Sequence, residues 1–277
     1  MNITKAHLIF FSPTHTSRKV GEGIVHGLGL KEVAVTDVTH EAADLPEMSA
    51  DVLAVVVVPV YVGHIPHLAA VRMAGLRASG TPAVAVVVYG NRAYENALQE
   101  LDTFLTGKGF RVIAAATFVG EHSYSTVRHP IAAGRPDKED WEEAVLLGHR
   151  VMAKVQAARS ADALQKVDVS RIRRPKQPFW AKLRFIWQVI RLRKSGQPMP
   201  VVPRVDEALC THCGRCAAIC PNRAIAKGDE CHTSAERCIR CCACVKGCPQ
   251  QARSFDTPFA VLLSRHFKYR KENEMLL

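Results

Sequence analysis

The first 160 residues alternate short apolar runs with longer segments in which apolar residues recur every three or four positions. The runs at 52–58 and 82–88 contain no polar side chain. Uninterrupted runs of this kind are typical of parallel strands that helices cover on both faces of a sheet. The alternation therefore predicts an α/β fold, a doubly wound domain with a five-stranded parallel sheet.

Eight elements follow from this pattern. We predict strands at 6–11, 32–38, 51–60, 82–90 and 111–120, and helices at 17–28, 93–109 and 138–158. Folds of this kind bind ligands in the loops at the carboxyl ends of their strands. These loops are therefore the candidate binding loops.

Charge and cysteine content divide the chain into modules. The net charge is +11, and the segment 161–205 contributes most of it, with 11 Lys/Arg against 2 Asp/Glu. All ten cysteines lie between Cys210 and Cys248. We predict a domain over 1–160, a basic amphipathic linker over 161–203, a smaller cysteine-rich α+β domain over 204–256 and a helical tail over 257–277.

The sequence predicts a cytoplasmic protein. No secretory signal is evident at the first residues, and the longest apolar stretch, from Val52, is too short to span a membrane. In that compartment clustered thiols serve metal or redox chemistry more often than structural disulfides.

The loop after the first strand is rich in hydroxyl groups. It reads SPTHTS from Ser12 to Ser17 and opens a predicted helix. Ser and Thr hydroxyls, together with the free amides of a helix start, suit a terminal phosphate. A helix N-cap of the Ser/Thr type without a ligand would give the same pattern.

Three further loops place aromatic residues or histidine close to glycine. PVYVGHIP (59–66), YGNRAY (89–94) and GEHSYS (120–125) follow the third, fourth and fifth strands. A ring beside exposed backbone suits a flat cofactor, although each loop alone is also an ordinary strand-end turn. Together the loops predict one binding face.

The SPTHTS segment resembles the phosphate loop of flavodoxins, in which Ser/Thr-x-Thr-Gly-x-Thr holds the phosphate of FMN. The resemblance covers about residues 4–158 and implies the strand order 2-1-3-4-5. His15 stands where the family usually has Gly, so a positive φ there would strain the loop, although His tolerates that region better than most residues. Arg92, if close to the flavin ring, would stabilise the reduced anion. The FMN site that the resemblance implies consists of Ser12, Thr14, His15, Thr16 and Ser17 at the phosphate, and Tyr61, Val62, Gly63, Tyr89, Gly90, Asn91, Arg92, Tyr94, Gly120 and His122 around the ring.

The cysteines repeat one spacing twice. Cys210, Cys213, Cys216 and Cys220 read C-x2-C-x2-C-x3-C before Pro221, and Cys238, Cys241, Cys244 and Cys248 repeat this spacing before Pro249. In this bacterial ferredoxin pattern the fourth cysteine of each run ligates the other cluster. The spacing predicts two 4Fe-4S clusters, one on Cys210, Cys213, Cys216 and Cys248, the other on Cys238, Cys241, Cys244 and Cys220.

Zinc and disulfides are the alternatives for these thiols. Zinc ribbons use pairs of C-x2-C and leave the third cysteine of each run without a role. Disulfides need an oxidising compartment. Cys231 and Cys242 lie outside both runs, and we predict that they are packed free thiols.

The segment 171–197 holds nine Lys/Arg, two Trp and no acid. On a helix that starts at Pro178, one stripe contains Phe179, Leu183, Ile186, Trp187 and Ile190. Such a helix binds a membrane surface or an acidic partner. Alternatively it packs against the two domains that it connects, and we favour this interpretation because two domains need a packing surface. Basic charge alone gives only non-specific affinity for nucleic acid, so we do not expect that partner.

A flavodoxin-like domain followed by a double-cluster ferredoxin domain resembles the cytoplasmic flavodoxin-ferredoxin fusion proteins of anaerobic bacteria and archaea. The resemblance implies an electron relay between two 4Fe-4S clusters and FMN, with a redox partner protein or a small-molecule acceptor. We assign no catalytic acid or base, and any membrane contact would be peripheral, through 171–197. The alternative is a non-catalytic electron-delivery or docking subunit whose flavodoxin-like domain has lost FMN.

Overall fold

The computed structural model describes residues 3–160, 163–196 and 199–277. These residues form two compact units. The sheet unit contains the residues up to Gly120 together with Gly134–Pro175 and Lys271–Leu277, and the cysteine unit contains Glu121–Ala133 and Lys176–Arg270. The units do not follow the predicted limits at 160, 203 and 256. The loop after the fifth strand belongs to the cysteine unit, and the end of the chain belongs to the sheet unit.

The strands and helices have the following bounds. The strands are β1 (Lys5–Phe10), β2 (Glu32–Asp37), β3 (Val52–Pro59), β4 (Pro82–Tyr89), β5 (Arg111–Val119), β6 (Arg204–Val205), β7 (Arg253–Ser254) and β8 (Glu274–Leu276). The helices are α1 (Thr16–Leu28), α2 (His67–Arg72), α3 (Ala97–Gly107), α4 (Lys138–Ala157), α5 (Phe179–Lys194), α6 (Arg215–Ala218), α7 (Ala243–Lys246) and α8 (Pro258–His266). All eight elements predicted in the first 160 residues are present close to their predicted positions.

The sheet has the order β2-β1-β3-β4-β5-β8. Strands β1 to β5 pair in parallel, which confirms the predicted order 2-1-3-4-5 and the doubly wound α/β fold. Strands β3, β4 and β5 contain no exposed residue. Their burial on both faces explains their uninterrupted Val and Ala runs.

Helices α1 and α4 pack against each other and against the sheet. Their close approach depends on Gly27, because a Cβ there would lie 2.0 Å from the carbonyl oxygen of Val145. Helix α4 begins with a capping box in which Asp137 and Asp140 each accept a hydrogen bond from the other's backbone amide. This cap fixes the start of the helix, and the same Asp140 carboxylate also takes part in a buried ion pair.

The sixth strand, β8, was not predicted. It pairs antiparallel with β5. A buried network holds it there: Arg135 forms an ion pair with Asp140 and donates a 2.6 Å hydrogen bond to the Lys271 carbonyl, and Asn273 donates a 2.8 Å hydrogen bond to Asp140. The predicted helical tail corresponds to α8 alone. Residues 274–276 are a strand instead, because these contacts keep the chain extended at the edge of the sheet.

The cysteine unit has little regular structure. Strands β6 and β7 form a two-stranded antiparallel pair with Arg204 opposite Ser254. The short helices α6 and α7 each lie within one cysteine run, and α5 packs against α8. In the part of the chain that the structure describes, no helix combines the length and the apolar composition that crossing a bilayer requires.

Candidate functional site

The two cysteine runs have the same backbone conformation. Every cysteine of the first run has a counterpart in the second run 28 residues later. Left-handed residues occur at matching places in the two runs: His212 (φ 50°) and Arg240 (φ 56°), Gly214 (φ 73°) and Cys242 (φ 57°), Arg223 (φ 50°) and Gln251 (φ 51°). The sequence repeat is therefore also a structural repeat, with two equivalent turns that present thiols.

One cavity in the cysteine unit is lined by Cys210, Cys213, Cys216 and Cys248. These are three cysteines of the first run and the last cysteine of the second run. The structure thus brings together the ligand set predicted for the first cluster.

The thiols of the second predicted set also lie near one another. Burial raises the pKa of Cys241 to about 12, and the neighbouring Cys244, Cys220 and Cys238 raise it further. The Cys220 thiol also contributes to the raised pKa values of Cys244, about 12, and of Cys238, in both cases after burial as the main cause. The last cysteine of the first run therefore lies beside the first three of the second. Metal binding here must displace protons, because thiolates are the ligands.

Backbone amides already point to several of these sulfurs. The amide of Ala224 donates to Cys220 Sγ at 3.1 Å. The amides of Arg240 and Ala243 donate to Cys238 and Cys241. All ten cysteines are free thiols. Such N–H···S bonds lower the energy of thiolate ligands and of the cluster that they hold.

Cys242 and Cys231, which lie outside the two runs, have different surroundings. Cys242 is buried at the left-handed position equivalent to Gly214, and its Sγ–H donates to the Arg240 carbonyl at 3.7 Å. Cys231 lies beside Cys210 and His212, with the three ligand atoms within 4.8 Å of one another. Cys231 is thus a neighbour of a predicted ligand, a contact that the spacing of the cysteines does not reveal.

Arg253 is a functional candidate that the sequence analysis missed. Its guanidinium is buried, lines the cavity and donates through Nη2 to the Glu230 carbonyl and to Thr233 Oγ1, both at 2.9 Å. Among the described residues, its Nε and Nη1 atoms have no hydrogen-bond partner. An anionic iron-sulfur centre in the cavity would supply the countercharge and the acceptors that this side chain lacks. The donor set and Arg253 together fit a 4Fe-4S cluster.

The hydroxyl-rich loop lies between β1 and α1 and has the conformation that the resemblance implies. His15 immediately precedes α1 with φ 64°, so histidine occupies a left-handed position that glycine would take without strain. Ser12 is buried, and its hydroxyl accepts a 3.0 Å hydrogen bond from the Arg18 amide. The strain anticipated at His15 is present, and the loop nevertheless forms.

Ser17 gives this loop an unused polar atom. Its side chain is fully buried, and in the ranges that the structure describes its Oγ has no hydrogen-bond partner. Thr14 and Thr16 are half-buried beside it. Gly120, after β5, approaches the loop closely: a Cβ there would lie 3.4 Å from Thr16 Cβ and 2.7 Å from Val88 Cγ1. An orphaned hydroxyl at a helix start fits a phosphate ligand.

The loop after β3 forms a tight turn. The amides and carbonyls of Tyr61 and His64 exchange hydrogen bonds of 2.9 and 3.1 Å. Val62 is almost fully exposed with φ 55°, and Gly63 has φ 87°. Tyr61 is half-buried in this turn, next to the exposed Val62.

The loop after β4 differs from expectation. Tyr89 and Tyr94 are buried and pack edge to face with ring centroids 5.7 Å apart. Their rings are core residues and Asn91 is buried as well, so the half-buried members of the predicted site in this loop are Gly90 and Arg92. Arg92 forms an ion pair with Glu95, and its carbonyl accepts a 3.0 Å hydrogen bond from Lys271.

His122 belongs to the cysteine unit and not to the sheet unit. Its Nδ1 accepts a 3.0 Å hydrogen bond from the Tyr124 amide, and Tyr124 packs on Phe255 with centroids 5.1 Å apart. Burial raises the pKa of Tyr124 to about 12, and the Cys242 thiol raises it further. The structure therefore groups this predicted flavin residue with the second cysteine run.

Comparisons with known proteins bear on both units. A family model described as a 4Fe-4S binding domain matches residues 202–225, which contain the first cysteine run. The chain has no significant match among curated proteins. The sheet unit is flavodoxin-like by its own strand order, and the cysteine unit carries a 4Fe-4S binding domain.

Several solved flavodoxins are similar to the chain at low identity. They include oxidised flavodoxin 2 from Bacillus cereus (13% identity, 55% of this chain and 99% of that chain, TM-score 0.41), a Streptococcus pneumoniae TIGR4 flavodoxin (19%, 54% and 99%, 0.38) and a flavodoxin from the domain Archaea (14%, 55% and 99%, 0.36). The scores are low, so the fold assignment depends on the strand order and not on these neighbours.

Proposed function

We propose that this protein is an iron-sulfur flavoprotein that relays electrons between two 4Fe-4S clusters and an FMN. The observation that carries the proposal is the cavity lined by Cys210, Cys213, Cys216 and Cys248. Because a cysteine of the second run completes the first set, the two runs form one interlocked pair of sites, as two-cluster ferredoxins require. The 28-residue repeat of backbone conformation supports a second, equivalent site.

The sheet unit supports the FMN half of the proposal. Ser12, Thr14, Thr16 and Ser17 would hold the phosphate at the start of α1, and Tyr61 would lie beside the ring. FMN exchanges one or two electrons and each 4Fe-4S cluster exchanges one, so the pair can connect single-electron and two-electron partners. The protein supplies binding, orientation and electrostatics, and the outer partner is a redox protein or a small-molecule acceptor.

The cluster assignment is tested on protein purified without oxygen. We expect about eight iron and eight labile sulfide per chain. Replacing Cys248 by Ser should reduce iron to about four, with loss of one cluster's EPR signal. The matched control is Cys242→Gly, which removes a nearby thiol that is outside the ligand spacing and at a left-handed position, and it should keep about eight iron. Equal iron in Cys248→Ser and in the unaltered protein would contradict the shared ligand sets.

The FMN assignment is tested by acid release of flavin and by His15→Gly. We expect about one FMN per chain, and a glycine at φ 64° should relieve strain without abolishing binding. Iron near eight with no flavin, and flavin binding only after the glycine is introduced, would favour the docking subunit that has lost FMN. The left-handed loop and the unused Ser17 hydroxyl favour the relay instead.

A further inference from the structure

Helix α5 uses only one of its faces inside the cysteine unit. The half-buried residues of the helix are Ala181, Phe185, Gln188, Val189 and Leu192. Phe185 packs edge to face on Phe267 at a centroid distance of 4.9 Å, and the Gln188 amide meets the His266 ring at 3.0 Å. Their spacing of three and four residues places all five on the side that faces α8.

The opposite face carries an exposed apolar stripe. Successive residues of a helix are about 100° apart, which centres this stripe roughly 160° from Phe185. Trp180 is 71% exposed and Trp187 is 59% exposed. The members of the apolar stripe are Phe179, Trp180, Leu183, Ile186, Trp187 and Ile190, all of them exposed. The apolar stripe is therefore separate from the face that packs on α8 within the cysteine unit.

Basic residues border the apolar stripe on both sides. Lys182 and Arg193 lie along one border, and Arg184 and Arg191 lie along the other. The helix contains no Asp or Glu. The Arg191 guanidinium lies over the Trp187 ring at 5.6 Å, so its aliphatic stem follows the edge of the stripe.

We infer that α5 binds an anionic lipid surface, with the apolar stripe at the acyl boundary and the flanking Lys and Arg side chains at the headgroups. An in-plane helix has this arrangement of a central apolar face with two basic borders, and Trp is enriched at that depth. An acidic protein would need to cover both borders and also provide an apolar groove for the stripe. A bilayer provides the apolar environment for the stripe and anionic groups for both basic borders.

The test uses the full-length protein with its clusters, handled without oxygen. The chain should sediment with vesicles of phosphatidylglycerol and phosphatidylcholine, and much less with phosphatidylcholine alone. Trp180→Ser with Trp187→Ser should weaken binding at least tenfold, on the order expected for losing two interfacial aromatics. Because both side chains are exposed, iron content should stay unchanged, which separates loss of binding from loss of folding.

Charge is tested by a matched pair of double variants. Lys182→Gln with Arg184→Gln removes one charge from each border and should weaken binding several-fold. Lys227→Gln with Arg237→Gln removes two exposed charges elsewhere in the cysteine unit and should leave binding unchanged. Raising salt from about 0.1 M to about 0.5 M should mimic the first variant, since exposed charges are screened.

Two results would overturn the inference: failure to bind anionic vesicles, and equal binding by the two-tryptophan variant. If, in the second case, the unaltered protein is a dimer and the variant is a monomer, the stripe is assigned to a second copy of the chain. Vesicle binding involves no electron transfer, so its outcome can be distinguished from the success or failure of the proposed relay.

Discussion

The sheet unit and the cysteine unit are stabilised in different ways. The sheet unit has an extensive hydrophobic core to which β1, β3, β4, β5, α1 and α4 contribute buried residues. The clusters described in the cysteine unit are small, and the one around Ile225 includes the predicted ligands Cys216 and Cys244. Apolar burial alone can fold the first unit, whereas the second depends on what its cysteines bind.

The largest effect should come from removing the clusters. Treating the anaerobic protein with an oxidant and a chelator should unfold the cysteine unit, because its apolar core is too small to replace metal ligation. Hydrogen exchange read by mass spectrometry should show lost protection over 204–256 and retained protection in β3 and β4. Equal loss in both regions would show that the two units are not stabilised separately.

The next largest effect should come from Asp140→Ala in the sheet unit. Asp140 is fully buried, and its removal leaves the Arg135 charge unpaired and takes a hydrogen bond from Asn273. Breaking a buried pair in this way costs about 3–5 kcal/mol. Urea unfolding of the sheet unit measures this loss in the free energy of unfolding. The control is Glu142→Ala, an exposed change on the same helix, which should lower the free energy of unfolding only slightly. Iron content should not change.

Arg253→Gln should have a smaller effect, within the cysteine unit. Burial raises the pKa of Cys216 and of Cys244, and the positive charge of Arg253 opposes this rise, so it also favours electrons on a cluster held by them. Losing about 1.4 kcal/mol of charge interaction corresponds to roughly 60 mV for one electron, and the reduction potential should fall by that order. An EPR redox titration measures the shift. Arg215→Gln, an exposed change at the same cavity, should shift it less. An equal shift in both variants would contradict the role of burial.

A still smaller effect should separate stability from flavin binding in the sheet unit. Ser17→Ala removes a buried hydroxyl without a partner and should stabilise the flavin-free protein by about 1 kcal/mol while weakening FMN binding. Ser12→Ala removes a hydroxyl that accepts the Arg18 amide and should cost about 1 kcal/mol. In Ser17→Ala the melting temperature of the flavin-free protein should therefore rise while the affinity for FMN falls. In Ser12→Ala both the melting temperature and the affinity for FMN should fall.

The last effect appears only at alkaline pH and is a pH dependence at the tail. Burial, and then Arg92, lowers the pKa of Lys271 to about 8 from its ordinary 10.5. The unfolded chain thus holds this proton more tightly, so stability should rise as the pH goes from about 8 to 10.5. Urea unfolding measures the free energy of unfolding of the unaltered protein and of Lys271→Met. The unaltered protein should gain stability relative to the variant as the pH rises over that range. Lys138→Met, at a lysine that is 90% exposed, should show no such shift.

The sequence was most informative where one local property decides the structure. Runs of Val and Ala place β3, β4 and β5 almost to the residue, because strands covered on both faces cannot be polar. The cysteine spacing predicts which four cysteines line the cavity, because thiolate geometry constrains the turn. The loop at His15 was also predictable, since its left-handed conformation follows from the position of glycine in the related loops.

Other features depend on contacts that are distant in the chain. Whether the aromatic side chains after β4 turn inward depends on Tyr89 and Tyr94 packing on each other, which spacing does not reveal. Arg253 resembles any surface arginine until its burial is known. In α5 both faces carry apolar residues, so the periodic pattern predicts the helix correctly but not the face that meets α8.

The position of β8 at the end of the chain has a consequence for synthesis. About 150 residues separate β5 from β8, so a ribosome adding roughly 5–20 residues per second leaves the edge of β5 open for about 8–30 s. The whole cysteine-rich region from Cys210 to Cys248 emerges in that interval. The nascent sheet therefore keeps an unpaired edge while the cluster ligands are being made, and closes only after the last of them has left the ribosome.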